Sequence, residues 1–463
     1  MKNSRTYKYS INQSIIKYKI MQLRILMAVI GISSMSIANA QTNAIQFEKY
    51  TLPNGLKVIL HEDHSAPVVA VTALYHVGSK NEDTARTGFA HFFEHLLFEG
   101  SENIKRGEFD KYITNAGGAL NANTSQDRTF YFELLPSNQV DLGLWLESER
   151  MMHAKIEQIG VNTQREVVKE EKRQRMDNRP YGSFLNEVLK RAFKVHPYQW
   201  SPIGSMDHLN AAKLDEFINF YKTFYVPNNC VLSIAGDFNK ADLKNKIEAY
   251  FGPIKKGANV IPRPTIKEPA LGGEVRDVIQ DNIQLPGVFQ AYRAPKQGGD
   301  EYYAFNVLST ILSGGESSRM NKTLVDKKQQ AVAAQSAPFF NEDEGLFITL
   351  AIANMGVKIE SLELSMDSIV NDLKTDLVGE REFQKVKNQI TTQIVTSNGT
   401  MAGIAESLAN NEVYFGDANL INTELDKYNK VTRQDVLNVA KKYLNKDNRV
   451  VLYYVPKEKA TTK

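Results

Sequence analysis

The sequence predicts an α+β fold made of two copies of one unit, each a mainly antiparallel sheet with helices packed on it. Three observations carry this. Gln46 to Leu52 meets Leu56 to Leu60 across Pro53-Asn54-Gly55, a strand–turn–strand pattern with a strong hairpin turn. A stretch rich in Pro, Gly and Lys at 254–275, with Pro262, Pro264 and Pro269, reads as a linker. On either side of it the chain repeats itself. Strand, turn and Gly88-Phe89-Ala90-His91-Phe92-Phe93-Glu94-His95 is answered by strand, turn and Tyr302-Tyr303-Ala304-Phe305-Asn306-Val307-Leu308-Ser309. The segment 214–232, with Tyr225 before a strand, is answered by 431–452, with Tyr443 before another. Each unit is therefore about 200 residues long.

The elements follow in order. The first hairpin leads to a β-branched run at 68–77 that stops at Gly78, and a helix is expected over 87–98, ended by Gly100. A Gly117-Gly118 turn opens strand-like residues to Leu135, and two helices cover roughly 137–156 and 161–176. The expected division is 1–40 as a signal peptide, 41–253 as the first unit, 254–275 as linker and 276–463 as the second.

Bulk properties narrow the class. A chain of 463 residues is too long for one ordinary core, and 42% hydrophobic with 24% charged residues is a globular composition. Arg24, the apolar run 25–32 and Ala38-Asn39-Ala40 form a secretory signal, with cleavage expected after Ala40 and Met21 an alternative start. Removing 1–40 discards six basic residues and no acids, turning +3 into −3. The balanced mature chain carries no nucleic-acid signature. One cysteine, Cys230, allows no internal disulfide, and no later segment reads as a membrane span or anchor. A soluble periplasmic or secreted protein is expected.

The chemistry lies in His91, Glu94 and His95. Histidines four apart on a helix project from one face, a spacing that suits two positions around one Zn²⁺. Glu94, on the same side, brings a carboxylate near a metal-held water. The order H-x-x-E-H is the inverse of the commoner zinc-peptidase motif. A catalytic zinc needs a third protein ligand and an open position. The candidates lie on the helix around Glu166, Glu170 and Glu171. At about 100° per residue, Val161, Val167 and Val168 define its buried face. Glu171 falls within that arc, whereas Glu166 and Glu170 point away. A carboxylate on an apolar face needs a partner, and a metal is one, so Glu171 is the third ligand expected.

The run Thr87-Gly88-Phe89-Ala90-His91-Phe92-Phe93-Glu94-His95-Leu96-Leu97-Phe98-Glu99-Gly100-Ser101 resembles the signature of the pitrilysin (insulinase-like) metallopeptidases. Glu171 lies at the spacing that family uses for its glutamate ligand. Leu120-Asn121-Ala122-Asn123-Thr124-Ser125 is similar to its substrate-binding edge strand. His196-Pro197-Tyr198, Tyr225-Val226-Pro227-Asn228-Asn229 and the two-unit repeat fit as well. The resemblance covers about 46–455 and is nearest to short bacterial members related to mitochondrial processing peptidase. It implies a clamshell of two homologous α/β domains, one zinc per chain, and a peptide added as a strand along Asn121 and Ala122.

Two departures stand out. Gln164 occupies the position, seven before the ligand, where many members have a glutamate supporting the metal site. Active single-chain members also carry an arginine and a tyrosine in the second domain, and the alignment places Asp326 and Val332 there. The resemblance therefore implies a homologous zinc-less partner that brings the missing pair. A non-catalytic assembly or binding protein on the same fold is the alternative reading, and a zinc hydrolase acting on non-peptide amides is a second.

Overall fold

The computed structural model describes residues 44–258 and 260–457; the expected signal peptide, with Arg24, Met21 and Ala40, lies outside the described residues. The first half runs β1 (Glu48–Thr51), β2 (Lys57–Glu62), β3 (Val68–Tyr75), α1 (Phe89–Leu96), α2 (Phe109–Asn115), β4 (Ala119–Thr124), β5 (Thr129–Pro136), α3 (Val140–Met152), α4 (Gln158–Lys172), α5 (Phe184–Ala192), α6 (Met206–Ala211), α7 (Leu214–Phe224), β6 (Cys230–Gly236) and α8 (Lys240–Phe251). The second runs β7 (Val275–Asp281), β8 (Gly287–Ala294), α9 (Asp300–Ser313), β9 (Ala331–Phe339), β10 (Gly345–Ala353), α10 (Ile359–Thr375), α11 (Glu380–Ser397), α12 (Met401–Phe415), α13 (Leu420–Lys430), α14 (Arg433–Tyr443) and β11 (Arg449–Pro456).

Two sheets result, ordered β1-β2-β6-β3-β5-β4 and β7-β11-β8-β10-β9. Apart from β1, strand order and direction agree position by position. The only parallel pairs among the described strands are β2 with β6 and, correspondingly, β7 with β11. The repeat read from sequence is thus a repeat of topology. The hairpin forms as expected, with Gly55 at φ +91°, a conformation glycine adopts without steric cost.

The central strands of each sheet are buried on both faces, and the two faces have different owners. Val69, Val71, Ala73 and Tyr75 of β3 point into the first half's own core, with Phe92, Phe93 and Leu144. The opposite face of β3 and β6 lies against α12, a helix of the second half. The second sheet mirrors this. Val288 and Tyr292 face their own helices, whereas Phe289, Ala291, Val450, Leu452 and Tyr454 pack on Val188, Leu189 and Ala192 of α5. Phe184 stacks on Phe289 at 5.1 Å, and the Ser183 and Tyr454 hydroxyls are 2.8 Å apart. The two halves thus exchange helices.

Ion pairs reinforce that seam. The buried Lys80 ammonium contacts Asp127 (2.9 Å), Glu342 (2.5 Å) and Asp343 (3.2 Å), the last two from the β9–β10 turn. Tyr198 donates its hydroxyl to Asp127 at 2.6 Å, and His76 and His196 reach Glu342 and Asp343. The described residues between α8 and β7 form no regular element but are tied down. Glu268 accepts the backbone N–H groups of Lys194, Val195 and His196 and the guanidinium of Arg293.

Candidate metal centre and its peptide-binding edge

Helix α1 is only eight residues long, too short to persist without support, and it is held at both ends. At its start Gly88 has φ +98°, and a Cβ there would come within 2.9 Å of the Ile203 carbonyl. The fully buried Glu82 accepts the N–H groups of Gly88 and Ala90, each at 2.8 Å, and the Trp200 indole N–H at 3.0 Å. Burial pushes its carboxyl up to about 8 against the pull of these donors. At the other end the buried Arg150 donates to the Leu97 carbonyl, and Tyr131 donates to that of Phe93, both at 3.0 Å. The Arg150 cation at the C-terminus complements the helix dipole. Arg150 is itself balanced by Glu147 at 2.9 Å, while burial and the Glu147 charge push the neighbouring Glu133 far up, toward its neutral form. Between the ends, Phe89 stacks on Phe217 and Phe93 on Phe220, which fixes the rotation of the helix.

That rotation turns His91, Glu94 and His95 toward α4. Glu171 Oε2 lies 3.5 Å from His91 Nε2 and 3.1 Å from His95 Nε2, and one donor atom from each residue falls within 4.8 Å of the others. Two ligands about 2.05 Å from a tetrahedral ion stand about 3.3 Å apart, and the observed separations bracket that edge. Glu171 Oε2 is buried, makes no well-directed hydrogen bond, and faces only partly exposed imidazoles. Burial raises the Glu171 carboxyl, but the two imidazoles beside it hold it well below the usual carboxylate range. Its other oxygen meets Arg175 at 2.7 Å. The donor set fits zinc: two imidazoles and one carboxylate held ionised. His91 Nδ1 is buried with no hydrogen-bond partner, so nothing among the described residues braces that ring from behind.

The helical arc used to choose Glu171 was drawn too wide. Val161 and Val168 are fully buried, but Val167 is 44% exposed, because α4 touches the core along one narrow stripe. Glu171 sits at the edge of that stripe with its side chain 15% exposed.

The remaining expected site residues are also placed. Strand β4 is the open edge of its sheet, with Asn121 exposed and Ala122 half-buried. The Ala122 N–H points away from β5 and is capped by the Asn121 side chain at 2.8 Å. Gln164 shares a pocket wall with His95 but makes its hydrogen bond elsewhere: its Nε2 donates to Glu99 Oε1 at 2.5 Å, and Arg106 holds the second oxygen of Glu99. Between β4, α1 and α4 lies a pocket of about 400 Å³, walled by Phe98, Phe109, Leu120 and Ala122 and bordered by Glu94 and His95. Sequence reasoning missed Thr124, whose hydroxyl donates to Glu94 Oε2 at 2.7 Å. The alternation of β4 carried the signal: Leu120, Ala122 and Thr124 share one face. In the second half Phe305 and Leu308 fill the core and Ser309 meets Ser336, so that copy holds no such trio. Asp326 lies in the π-helical turn Asn321–Lys327, and Val332 is exposed on β9.

Comparison with known proteins agrees with this geometry. Residues 57–204 match the insulinase family (peptidase family M16), and residues 211–390 match the peptidase M16 inactive domain. The chain belongs to this M16 family. It is 32% identical to the zinc protease PqqE of Helicobacter pylori over 398 residues, covering 83% of this chain and 90% of that one. It is 24% identical to a probable mitochondrial-processing peptidase subunit beta of Arabidopsis thaliana, over 85% of this chain and 75% of the relative. Among solved structures, a protease from Helicobacter pylori superposes with a TM-score of 0.86 at 30% identity, over 89% of this chain and all of that one. The inactive M16 domain of Pseudomonas fluorescens gives 0.80 at 17% identity and shares the fold. The His–Glu trio lies within the stretch that matches the insulinase description, and the inactive-domain match begins after it, at 211, and runs into the second half.

Proposed function

We propose that this chain is an exported zinc-dependent endopeptidase, with one Zn²⁺ held by His91, His95 and Glu171 and Glu94 as general base. The metal-bearing unit is 41–253 and the metal-free unit 276–463, joined through 254–275. The carrying observation is the spacing of three donors, His91, His95 and Glu171, beside a second carboxylate, Glu94, whose Oε1 is free. Zinc bound there supplies Lewis acidity, acidifying a water and drawing charge from a carbonyl. Glu94 takes the proton from the attacking water and returns it to the departing amine. The outward Ala122 N–H, released from the Asn121 side chain, donates to a carbonyl of a peptide laid along β4 as an added strand. The apolar-walled pocket beside Glu94 receives a neighbouring side chain of that peptide.

Two names support parts of this reading. A relative is called a zinc protease, and one more distant fold neighbour, PqqL of Escherichia coli, is described as a periplasmic protease. Among the described residues no helix is long and apolar enough to cross a membrane. Asp326 and Val332 leave the second half without the arginine–tyrosine pair, so the chain acts as the zinc-bearing member of a heterodimer whose other subunit brings that pair. The same absence favours the second reading, a non-catalytic assembly protein, which metal analysis separates. His91→Ala, His95→Ala and Glu171→Ala should each lose most bound zinc, whereas Glu94→Gln should keep zinc and lose peptide hydrolysis, measured with the chain alone and with an adjacent homologue. Zinc loss in Glu94→Gln with retention in Glu171→Ala would overturn the assignment.

A further inference from the structure

We infer that Thr124 is the positioning residue for the base, so that the strand which takes the substrate backbone also aims Glu94. The inference rests on the reading of Glu94 given above. A glutamate on a helix has several staggered rotamers and two equivalent oxygens, and only one arrangement aims a free oxygen at the water beside the metal. Thr124 removes that freedom. Its hydroxyl donates to Oε2 at 2.7 Å, which leaves Oε1 free to accept a proton. Threonine is stiff at χ1 because its β-carbon is branched, so the direction of the hydroxyl follows from the direction of the strand.

The strand is β4, at the open edge of its sheet, and its alternation places Leu120, Ala122 and Thr124 on consecutive same-face positions. Leu120 and Ala122 line the pocket, and Thr124 follows them onto Glu94. The outward N–H of Ala122 lies two residues from Thr124. A peptide bonded along this edge replaces the Asn121 cap with a ladder of main-chain bonds and stiffens β4 over the residues that hold the base. Substrate occupancy and base orientation are therefore joined through one short run of backbone. None of this requires Thr124 to touch substrate or metal.

The test uses the full-length zinc-loaded chain and acetohydroxamate, a metal-binding probe whose N–H or O–H a correctly aimed Glu94 accepts, so that no turnover is needed. Calorimetric affinity for acetohydroxamate should fall roughly ten- to a hundredfold in Thr124→Val, the loss of one hydrogen bond to a charged acceptor. Thr124→Ser should recover most of it, while zinc content and thermal midpoint stay within error of the parent. Glu94→Gln should weaken the probe by a similar factor, and Thr124→Val in that background should add little, because both changes act through one carboxylate. Wherever hydrolysis is measurable, kcat should fall with KM nearly unchanged. Unaltered probe affinity in Thr124→Val, or full additivity with Glu94→Gln, would refute the positioning role. A parent chain that binds neither zinc nor the probe would instead bring down the metallopeptidase reading, and this inference with it.

Discussion

Replacing Lys80 by methionine tests whether the seam between the halves is an electrostatic joint. The lysine side chain is 5% exposed and Asp127 is 3% exposed, so water does not reach this pair. Burial alone would lower the ammonium pKa, yet the charges of Asp127 and Glu342 outweigh it and push it up to about 12. The lysine is therefore charged throughout the physiological range. Removing one member of a buried pair costs about 3–5 kcal/mol, because the other is left uncompensated. Here the lower end applies. Glu342 and Asp343 are 29% and 47% exposed and regain water. Asp127 keeps the Tyr198 hydroxyl at 2.6 Å and the Glu342 N–H at 3.0 Å. About 3 kcal/mol corresponds to a roughly hundredfold faster local opening. Native-state hydrogen exchange at the Glu342 and Asp343 amides should accelerate by that factor in Lys80→Met, and Lys80→Met/Asp127→Asn should recover most of it. An acceleration of less than about threefold would show that the apolar packing of α5 and α12 holds the seam without help from the cluster.

Three further outcomes follow from the same geometry. Gln164→Glu would set a second carboxylate against Glu99. It should cost about 1–3 kcal/mol near pH 8 and recover near pH 5, where one acid takes a proton and donates to the other; thermal midpoints at the two pH values check this. Burial raises Glu342, but His76 and Lys80 hold it down at about 2 from an ordinary 4.5. Its contribution should be complete above pH 4.5 and fade as pH falls toward 2, seen as faster exchange at the seam in acid and absent in Glu342→Gln. Zinc at a hundred times its Kd should stabilise the chain by about 2.7 kcal/mol over the chelated form, and His91→Ala should abolish that difference in a thermal melt.

Much of the site was legible because it is local. His91, Glu94 and His95 lie within five residues, and helix geometry alone brings them together. Glu171 was reached by a helical arc whose outer edge, Val167, turned out to face water, since one sequence cannot say how wide a stripe the core will cover. What could not be read depends on distant contacts or on charges that look like surface residues. Glu147 and Arg150 sit in a run that reads as a solvated helix, yet both are fully buried beneath α1. Glu82 is explained only by Gly88, Ala90 and a tryptophan more than a hundred residues away. Gln164, expected to support the metal site, donates its amide to Glu99, a partner 65 residues away that the spacing could not show. The repeat predicted two units correctly, but a repeat orders elements along the chain and is silent on which sheet each helix covers.

The exchange of α5 and α12 bears on how such a chain could arise. A single copy of the repeat would leave strands that are apolar on both sides wet on one of them. Two identical copies could close each other's sheets by trading that helix about a two-fold axis, so the unit is complete as a symmetric pair. Once both copies are carried on one chain, each is free to diverge so long as it still lends its helix. The half that holds no histidine–glutamate trio still covers β3 and β6 of the sheet on which the trio's helices pack, so deleting it would unroof the fold rather than trim it.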